Sequence, residues 1–372
     1  VLLLGVLPVS ALAEDAGTHV EVATLQDLKK ALNDAADANS GNTTINLTAD
    51  ITLGANDKWQ SVRVIANGGT VTLDGKGKTI TGLNAPLFGN VGTGSSGIVI
   101  KDLTLDKADI TVDEQDTTGT TGVGAFIQYA GAADPVTLEN CKLTNSSVKG
   151  GHWAGGLIGY TAGFSEIGNG ERASYVTLTN CSVTNSSVTS KGSVGGLIGH
   201  AGGDAWTYST ITNCDVSNCT LNGKYVGDLV GTAGVGQVTI DQATVDHTKG
   251  NTRSQGSMTD PLFENGLVGR AVLGDTGLLV VAGKVTAAES TVAIVIPKDG
   301  GAMTQYNSLS DAVTAAHEGD TVVLVKNVTL AKDESLTIRA DKNFTLDLNG
   351  FTISQEKNNS NTNHSMLTNN GT

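Results

Sequence analysis

Large rings and cationic side chains are what this chain has least of. Aromatic residues make up 4% of 372 positions, proline occurs 5 times, and there are only five arginines: Arg63, Arg172, Arg253, Arg270 and Arg339. With 37 acidic against 23 basic side chains the net charge is −14, which excludes nucleic acid and an anionic membrane surface as natural partners. The longest apolar stretch, the thirteen residues VLLLGVLPVSALA at the start, is too short to span a bilayer. Recognisable catalytic signatures are missing too. The six histidines, His19, His152, His200, His247, His317 and His364, form no H-E-x-x-H pair and flank no Ser or Cys nucleophile motif. The recurrent GGLIG segment lacks the Lys-Ser/Thr and the helix of a phosphate loop.

Glycine, in contrast, is abundant at 48, and aliphatic residues are plentiful and regularly placed. That is turn-rich β composition rather than disorder. The organising feature is a unit written twice between Val136 and Gly199: VTLENCKLTNSSV followed by AGGLIGY, then VTLTNCSVTNSSV followed by VGGLIGH. A third copy reads STITNCDVSNCTL and VGDLVG, and fainter copies flank them as IVIKDLTL and VTIDQATV. On this register Asp102, Asn140, Asn180, Asn213 and Gln242 share one column, at spacings of 38, 40, 33 and 29 residues. Leu103, Cys141, Cys181, Cys214 and Ala243 fill the next. Units of this length, each too small to bury its own apolar face, stack into solenoids.

Alternating Val, Leu, Ile and Thr within each unit predict strands with one buried face. The Asn column breaks the alternation at a corner, where a side-chain amide turns the backbone and bonds its counterpart in the next coil as a ladder. Asn145, Asn185 and Asn218 mark a second corner, and GGLIG reads as a third strand in which glycine permits close backbone approach. Three strands and three corners are thus expected per coil, in an all-β parallel β-helix with short capping helices. Three of the four cysteines lie in the inward column and are expected as buried free thiols.

The segments AGGLIGY, VGGLIGH, VGDLVG and NGLVGR resemble the GLUG motif of bacterial surface proteins and some secreted peptidases. The coils of residues 40 to 270 resemble the pectate-lyase-like superfamily, which implies a right-handed helix. On that fold, polysaccharide lyases gather Asp or Glu around a cation beside a basic proton abstractor, and hydrolases use sets of Asp. Here the acidic residues collect at Asp102, Asp106, Asp109, Asp113, Glu114 and Asp116 in one coil and its loop. A Ca2+ site at Asp106, Asp109 and Asp113 is one reading and a solvated acidic loop the other. No arginine shares a column with them, so no catalytic residue is assigned.

Along the chain, residues 1–13 read as the end of a secretory signal peptide, with Ala11 and Ala13 in the small-x-small pattern and no initiator Met or basic leader in front. A first β-helix is expected over 14–276, opened by a cap helix in which Leu25, Leu28, Ala31, Leu32 and Ala35 keep helical spacing. A closing or bridging β segment follows at 277–304. From 305 to 372 the opening of the chain is replayed, as YNSLSDAVTAAHEGD, TVVLVKNVTL and NFTLDLNGFTIS, which predicts the start of a second β-helix, incomplete at Thr372. The few aromatics cluster on gaps and loops, and Trp153, Tyr160, Trp206, Tyr208 and Tyr225 are the candidate binding residues, since sugar rings present apolar faces to such rings. The composite expectation is a secreted or cell-surface bacterial protein, without a membrane span once the signal is removed. It would adhere to carbohydrate or a host surface, or space other domains, and would not be an enzyme. A β-helical polysaccharide lyase or glycoside hydrolase remains the alternative.

Overall fold

The computed structural model describes residues 17–37, 41–64, 69–91, 97–112, 122–131, 136–162, 164–165, 171–172, 174–255, 266–299, 303–332, 334–356 and 365–371. The expected signal peptide lies outside them, as do Asp113, Glu114 and Asp116. Among the described residues no helix is long and apolar enough to cross a membrane.

The repeat does stack, but each full coil has five strands rather than the three expected. In the coil opened by Val136–Glu139, the chain continues through Lys142–Thr144, Ser147–Gly150, Trp153–Gly155 and Ile158–Thr161. Each pairs in parallel with its counterpart in the next coil, at Ser174–Thr179, Ser182–Thr184, Ser187–Thr189, Ser193–Gly195 and Ile198–Ala201. The stacks form sheets of ten, six, five, four and seven strands in that order around the coil. The extra strands come from two places. Ser147–Gly150 and its counterparts form a strand between the second Asn corner and the glycine segment, and the glycines of GGLIG form a turn between two short strands instead of one continuous strand. At Gly156 a β-carbon would lie 2.2 Å from the Gly196 carbonyl oxygen and within 3.0 Å of Val183, so only glycine fits the bend.

Both polar corners are left-handed. Asp102, Asn140, Asn180 and Asn213 have φ between 50° and 54°, and Lys107, Asn145, Asn185 and Asn218 have φ between 50° and 55°. Among non-glycine residues Asn and Asp tolerate that region best, because their short polar side chains bond locally. In the first corner the side chains also link coil to coil. The Asn140 amide donates to Asp102 at 2.8 Å, Asn180 to Asn140 at 3.1 Å, and Asn213 to Asn180 at 2.7 Å. Gln242 does not extend this column. It begins helix α2 (Gln242–His247 when the three helices are taken in order), and its amide turns back to Asp246. The reason is its neighbour: Asp241 caps the helix by accepting from the Thr244 N–H and also receives the Asn213 N–H. A strong N-cap outcompetes another rung.

Inward columns are continuous through the stack. Ile45, Leu73, Ile100, Leu138, Leu178, Ile211 and Ile240 lie in register and are at most 1% exposed. Each contributes about 1.5–3 kcal/mol by leaving water. Helix α1 (Leu25–Ala36), capped by Thr24, closes the first end by burying Leu28, Ala31, Leu32 and Ala35. At the other end the core finishes on charge. Asp228 stands where the earlier coils have Gly156 and Gly196, and Arg253 continues the column of Val148, Val188 and Leu221. Their side chains approach to 3.8 Å, so Arg253 does have an acidic neighbour.

All four cysteines are free and buried. Cys141, Cys181 and Cys214 each donate to a strand carbonyl of the preceding coil, at 3.3, 3.3 and 3.6 Å. The adjoining Cys141 thiol pushes Cys181, and Cys181 in turn pushes Cys214, far above the ordinary thiol range, and burial lifts Cys219 to about 11.

The replayed segment repeats the opening topology. Helix α3 (Leu309–Ala315) stands for α1, and three parallel pairs follow: Thr321–Leu324 with Thr345–Asp347, Val328–Leu330 with Ile353–Gln355, and Leu336–Ile338 with Leu367–Asn369. One element differs. At the start of the chain Thr18–Val22 pairs directly with Thr43–Leu47 in parallel. In the replay Ala293–Ile296 lies between the equivalent strands, antiparallel to both.

Two outcomes test this arrangement. Asn180→Leu removes both ladder bonds and forces a branched side chain into a left-handed corner, which should cost about 1–3 kcal/mol in denaturant unfolding. Asn180→Gly should cost less, since it keeps the backbone and loses only the ladder. All four thiols should resist alkylation in the native chain and label fully once it is unfolded without reductant, as read by intact mass.

Candidate functional site

The glycine turn decides where the rings go. By folding the chain back at Gly156 and Leu157, it brings the residues that flank AGGLIG onto one side. Trp153 and Tyr160 stack with centroids 4.4 Å apart and planes 20° apart. Tyr129 and His200 share the outward column of the seven-stranded sheet with Tyr160; Tyr129 lies 5.3 Å from Tyr160, and His200 meets Trp153 edge-on at 4.9 Å. The same cross-turn pairing recurs one coil at a time with different chemistry. The Ser193 and Thr232 hydroxyls meet at 2.7 Å, and further on the Arg270 guanidinium covers Tyr225 at 4.6 Å, with the Lys224 ammonium 5.1 Å from the same ring.

This strip is packed rather than open. A β-carbon at Gly203 would fall 2.2 Å from the Tyr160 hydroxyl, and one at Gly234 would fall 2.6 Å from Nε2 of His200, so loop backbone lies directly against both rings. Burial, then the neighbouring Tyr129 and Asp204, push Tyr160 up to about 12. Both ring nitrogens of His200 are buried without a hydrogen-bond partner. Burial first, and then the nearby His152 and Arg270, lower its pKa to about 4, so the imidazole is neutral at pH 7.

Tyr208 belongs to a separate patch on the outer face of the ten-stranded sheet. Tyr208 stacks on Tyr175 at 5.1 Å with planes only 15° apart, because the two occupy one register position. Tyr175 is 50% exposed and Trp206, two residues before Tyr208, is 37% exposed. Asp204 holds that loop by accepting from the Trp206 N–H at 3.0 Å and the Thr207 hydroxyl at 2.9 Å. The structure therefore divides the five candidates: Trp153 and Tyr160 meet, Tyr225 lies further along their strip, and Trp206 and Tyr208 face elsewhere. Tyr175 was not among them. Its signal was the shared pattern of SYVTLT and TYSTIT.

Asp102, Asp106 and Asp109 are the acidic candidates among the described residues. Asp106 accepts from the Asn145 amide at 2.8 Å and the Thr144 hydroxyl at 2.7 Å. Those bonds, the Asn145 one foremost, hold its carboxyl below the usual range. Asp109 lies opposite Ser147 at the start of the next strand. Among the described residues no group of three His, Cys, Asp or Glu side chains is placed to hold a metal.

Strands stacked in parallel register around one apolar interior, with an amide ladder along one corner, define a parallel β-helix. The chain belongs to the family described as "Putative pectate lyase-like adhesive domain", whose model matches residues 19–251. Among solved structures, a putative immunoglobulin A1 protease from Bacteroides ovatus aligns at a TM-score of 0.42 with 18% identity, over 68% of this chain and 83% of that one. No curated protein matches in a sequence search.

The buried imidazole makes stability depend on pH with a definite sign. His200 titrates at about 4 in the fold against 6.5 in its ordinary state, so the unfolded chain binds more protons between those values. Its contribution is complete above about pH 6.5 and is lost as pH falls toward about 4, by about 3 kcal/mol in total. Melting curves of the chain and of His200→Phe across that window should diverge steadily, the variant losing less stability on acidification.

Proposed function

We propose that this protein is exported by a bacterium and, at the cell surface or outside it, uses its β-helix to adhere to carbohydrate on a host or cell surface. The observation that carries this reading is the exposed ring platform, Tyr175 stacked on Tyr208, with the exposed Trp206 two residues before Tyr208 in the chain, on an otherwise Thr-rich sheet face. Nearly parallel rings stacked on adjacent coils, with Tyr175 half exposed, offer apolar surface on which the face of a pyranose ring can rest. Further support comes from the adhesive-domain family, the likeness of the glycine segments to the GLUG motif, and the signal-like start of the sequence. The acidic surface makes an anionic membrane an unfavourable target.

In this reading the protein binds and does not cleave. Asp106 is occupied by corner bonds, and Arg253 is tied to Asp228 at the end of the core. Each stacking contact is worth about 0.5–1.5 kcal/mol, so firm attachment requires many copies on a surface acting together.

Retention on immobilised pectin, alginate, glucan and host-type glycans tests the assignment. Tyr175→Ala and Tyr208→Ala should each reduce retention about tenfold, the equivalent of about 1.4 kcal/mol, with melting temperature little changed. Trp153→Ala should instead lower the melting temperature, because its ring is packed in the strip. No new reducing ends or unsaturated products should appear. Turnover abolished by Asp109→Asn would replace this reading with that of a polysaccharide-cleaving enzyme.

A further inference from the structure

The outer face of the ten-stranded sheet changes character at its last parallel strand. Along one outward column the residues are Tyr175, Tyr208, Gln237 and then Leu278. Along the next they are Thr177, Thr210, Thr239 and then Val280. Leu278 and Val280 face outward by register, yet they are 0% and 8% exposed. They are covered by the bridging strand Ala293–Ile296, which pairs into the sheet of the replayed unit and places Ile294, itself fully buried, in one cluster with them. The chain reaches that strand after a tight reversal at Ala282 and Gly283.

Polar contacts fix the same junction. One coil back, the Gln237 amide donates to the Met303 carbonyl at 2.6 Å and accepts from the Met303 N–H at 3.3 Å. A side-chain amide bonded both ways to one residue imitates a strand pairing. Gln305 donates to the Thr276 and Gly277 carbonyls, and its own oxygen receives the Thr291 hydroxyl at 2.6 Å. Neighbouring domains move relative to one another by default unless an apolar interface holds them. Here an apolar cluster and two amide clamps act together.

Gln237 is the register partner of Tyr208, so the strand whose side chain holds Met303 lies one strand spacing, about 4.8 Å, from the coil that carries Tyr208. We infer that the replayed unit is clamped to the outer face of the ten-stranded sheet as a fixed wall beside Tyr208, making the carbohydrate surface a composite of both units. The platform provides the floor and the segment around Met303 one end. A linear glycan lying along the coils is then stopped at that end, and the surface selects chains by how they terminate or bend there. This inference rests on the carbohydrate reading above, whereas the clamp itself does not.

The test uses the full chain with spin labels at Lys142→Cys and Glu318→Cys, the native thiols being buried. Gln305→Ala combined with Ile294→Ser should loosen the joint while both units keep their own protected amides in hydrogen exchange. The label-to-label distance distribution should be narrow in the parent and broaden about twofold in the double variant. Glycan retention should fall about as far as it does for Tyr208→Ala. A broad distribution in the parent, or no broadening in the variant, overturns the clamp. Broadening with undiminished retention, while Tyr208→Ala still lowers it about tenfold, overturns the composite surface and leaves the carbohydrate reading standing. If the parent is retained on no glycan, the carbohydrate reading and the composite surface fall together, and the distances alone judge the clamp.

Discussion

The left-handed corner is the constraint on which the rest of the structure depends. Each coil must turn at the same place and with the same dihedrals, or the strands beyond the turn lose register with those above and below. A one-residue slip would exchange the inward and outward faces of every strand after it. Asn140, Asn180 and Asn213 satisfy the turn locally, by tolerating a positive φ, and satisfy it again between coils by bonding amide to amide. Local conformation and long-range stacking therefore ask for the same side chain, which is the consistency expected of a sequence that specifies one structure.

With the corners locked, the interior tolerates variety in the loops. The distance between successive ladder residues varies by several residues while strand pairing is preserved, because a loop between sheets adds length outside the stack. The loops and outward columns carry the surface chemistry. The strip around Trp153 and the platform around Tyr208 both consist of outward residues repeated at one-coil intervals, and they differ in what lies above them. Loop backbone at Gly203 and Gly234 covers the strip, while nothing comparable among the described residues covers Tyr175.

The end of the first solenoid shows how stacking is brought to a stop. Helix α2 replaces the next strand of one sheet, Asp228 and Arg253 introduce a charge pair into inward positions, and the final outward residues become apolar to receive the second unit. An ion pair so placed costs desolvation, and it makes the interior a poor template for another coil. The edges that would otherwise invite uncontrolled pairing are thereby closed at this end by a helix, a hairpin and a docked neighbour.

Much of this architecture was legible in the residues. The repeat, the inward columns, the Asn corners, the buried thiols and the cap helix all follow from period-two patterning and from the conformational preferences of Asn and Gly, which act over a few residues and recur in each copy. Other features depended on contacts between segments far apart in sequence. Gln242 fits its column, and only the competition from Asp241 as a helix cap removes it. GGLIG reads as a strand until the next copy packs so close that a β-carbon at Gly156 would fall 2.2 Å from the Gly196 carbonyl oxygen. The aromatic residues look like one cluster along the chain, yet they fall on two faces because a β-helix distributes neighbouring loops around its circumference. Leu278 and Val280 read as an ordinary apolar strand, and their outward direction acquires meaning only from the unit folded against them. Local periodicity records which face of a strand is apolar, and tertiary structure alone decides what that face meets.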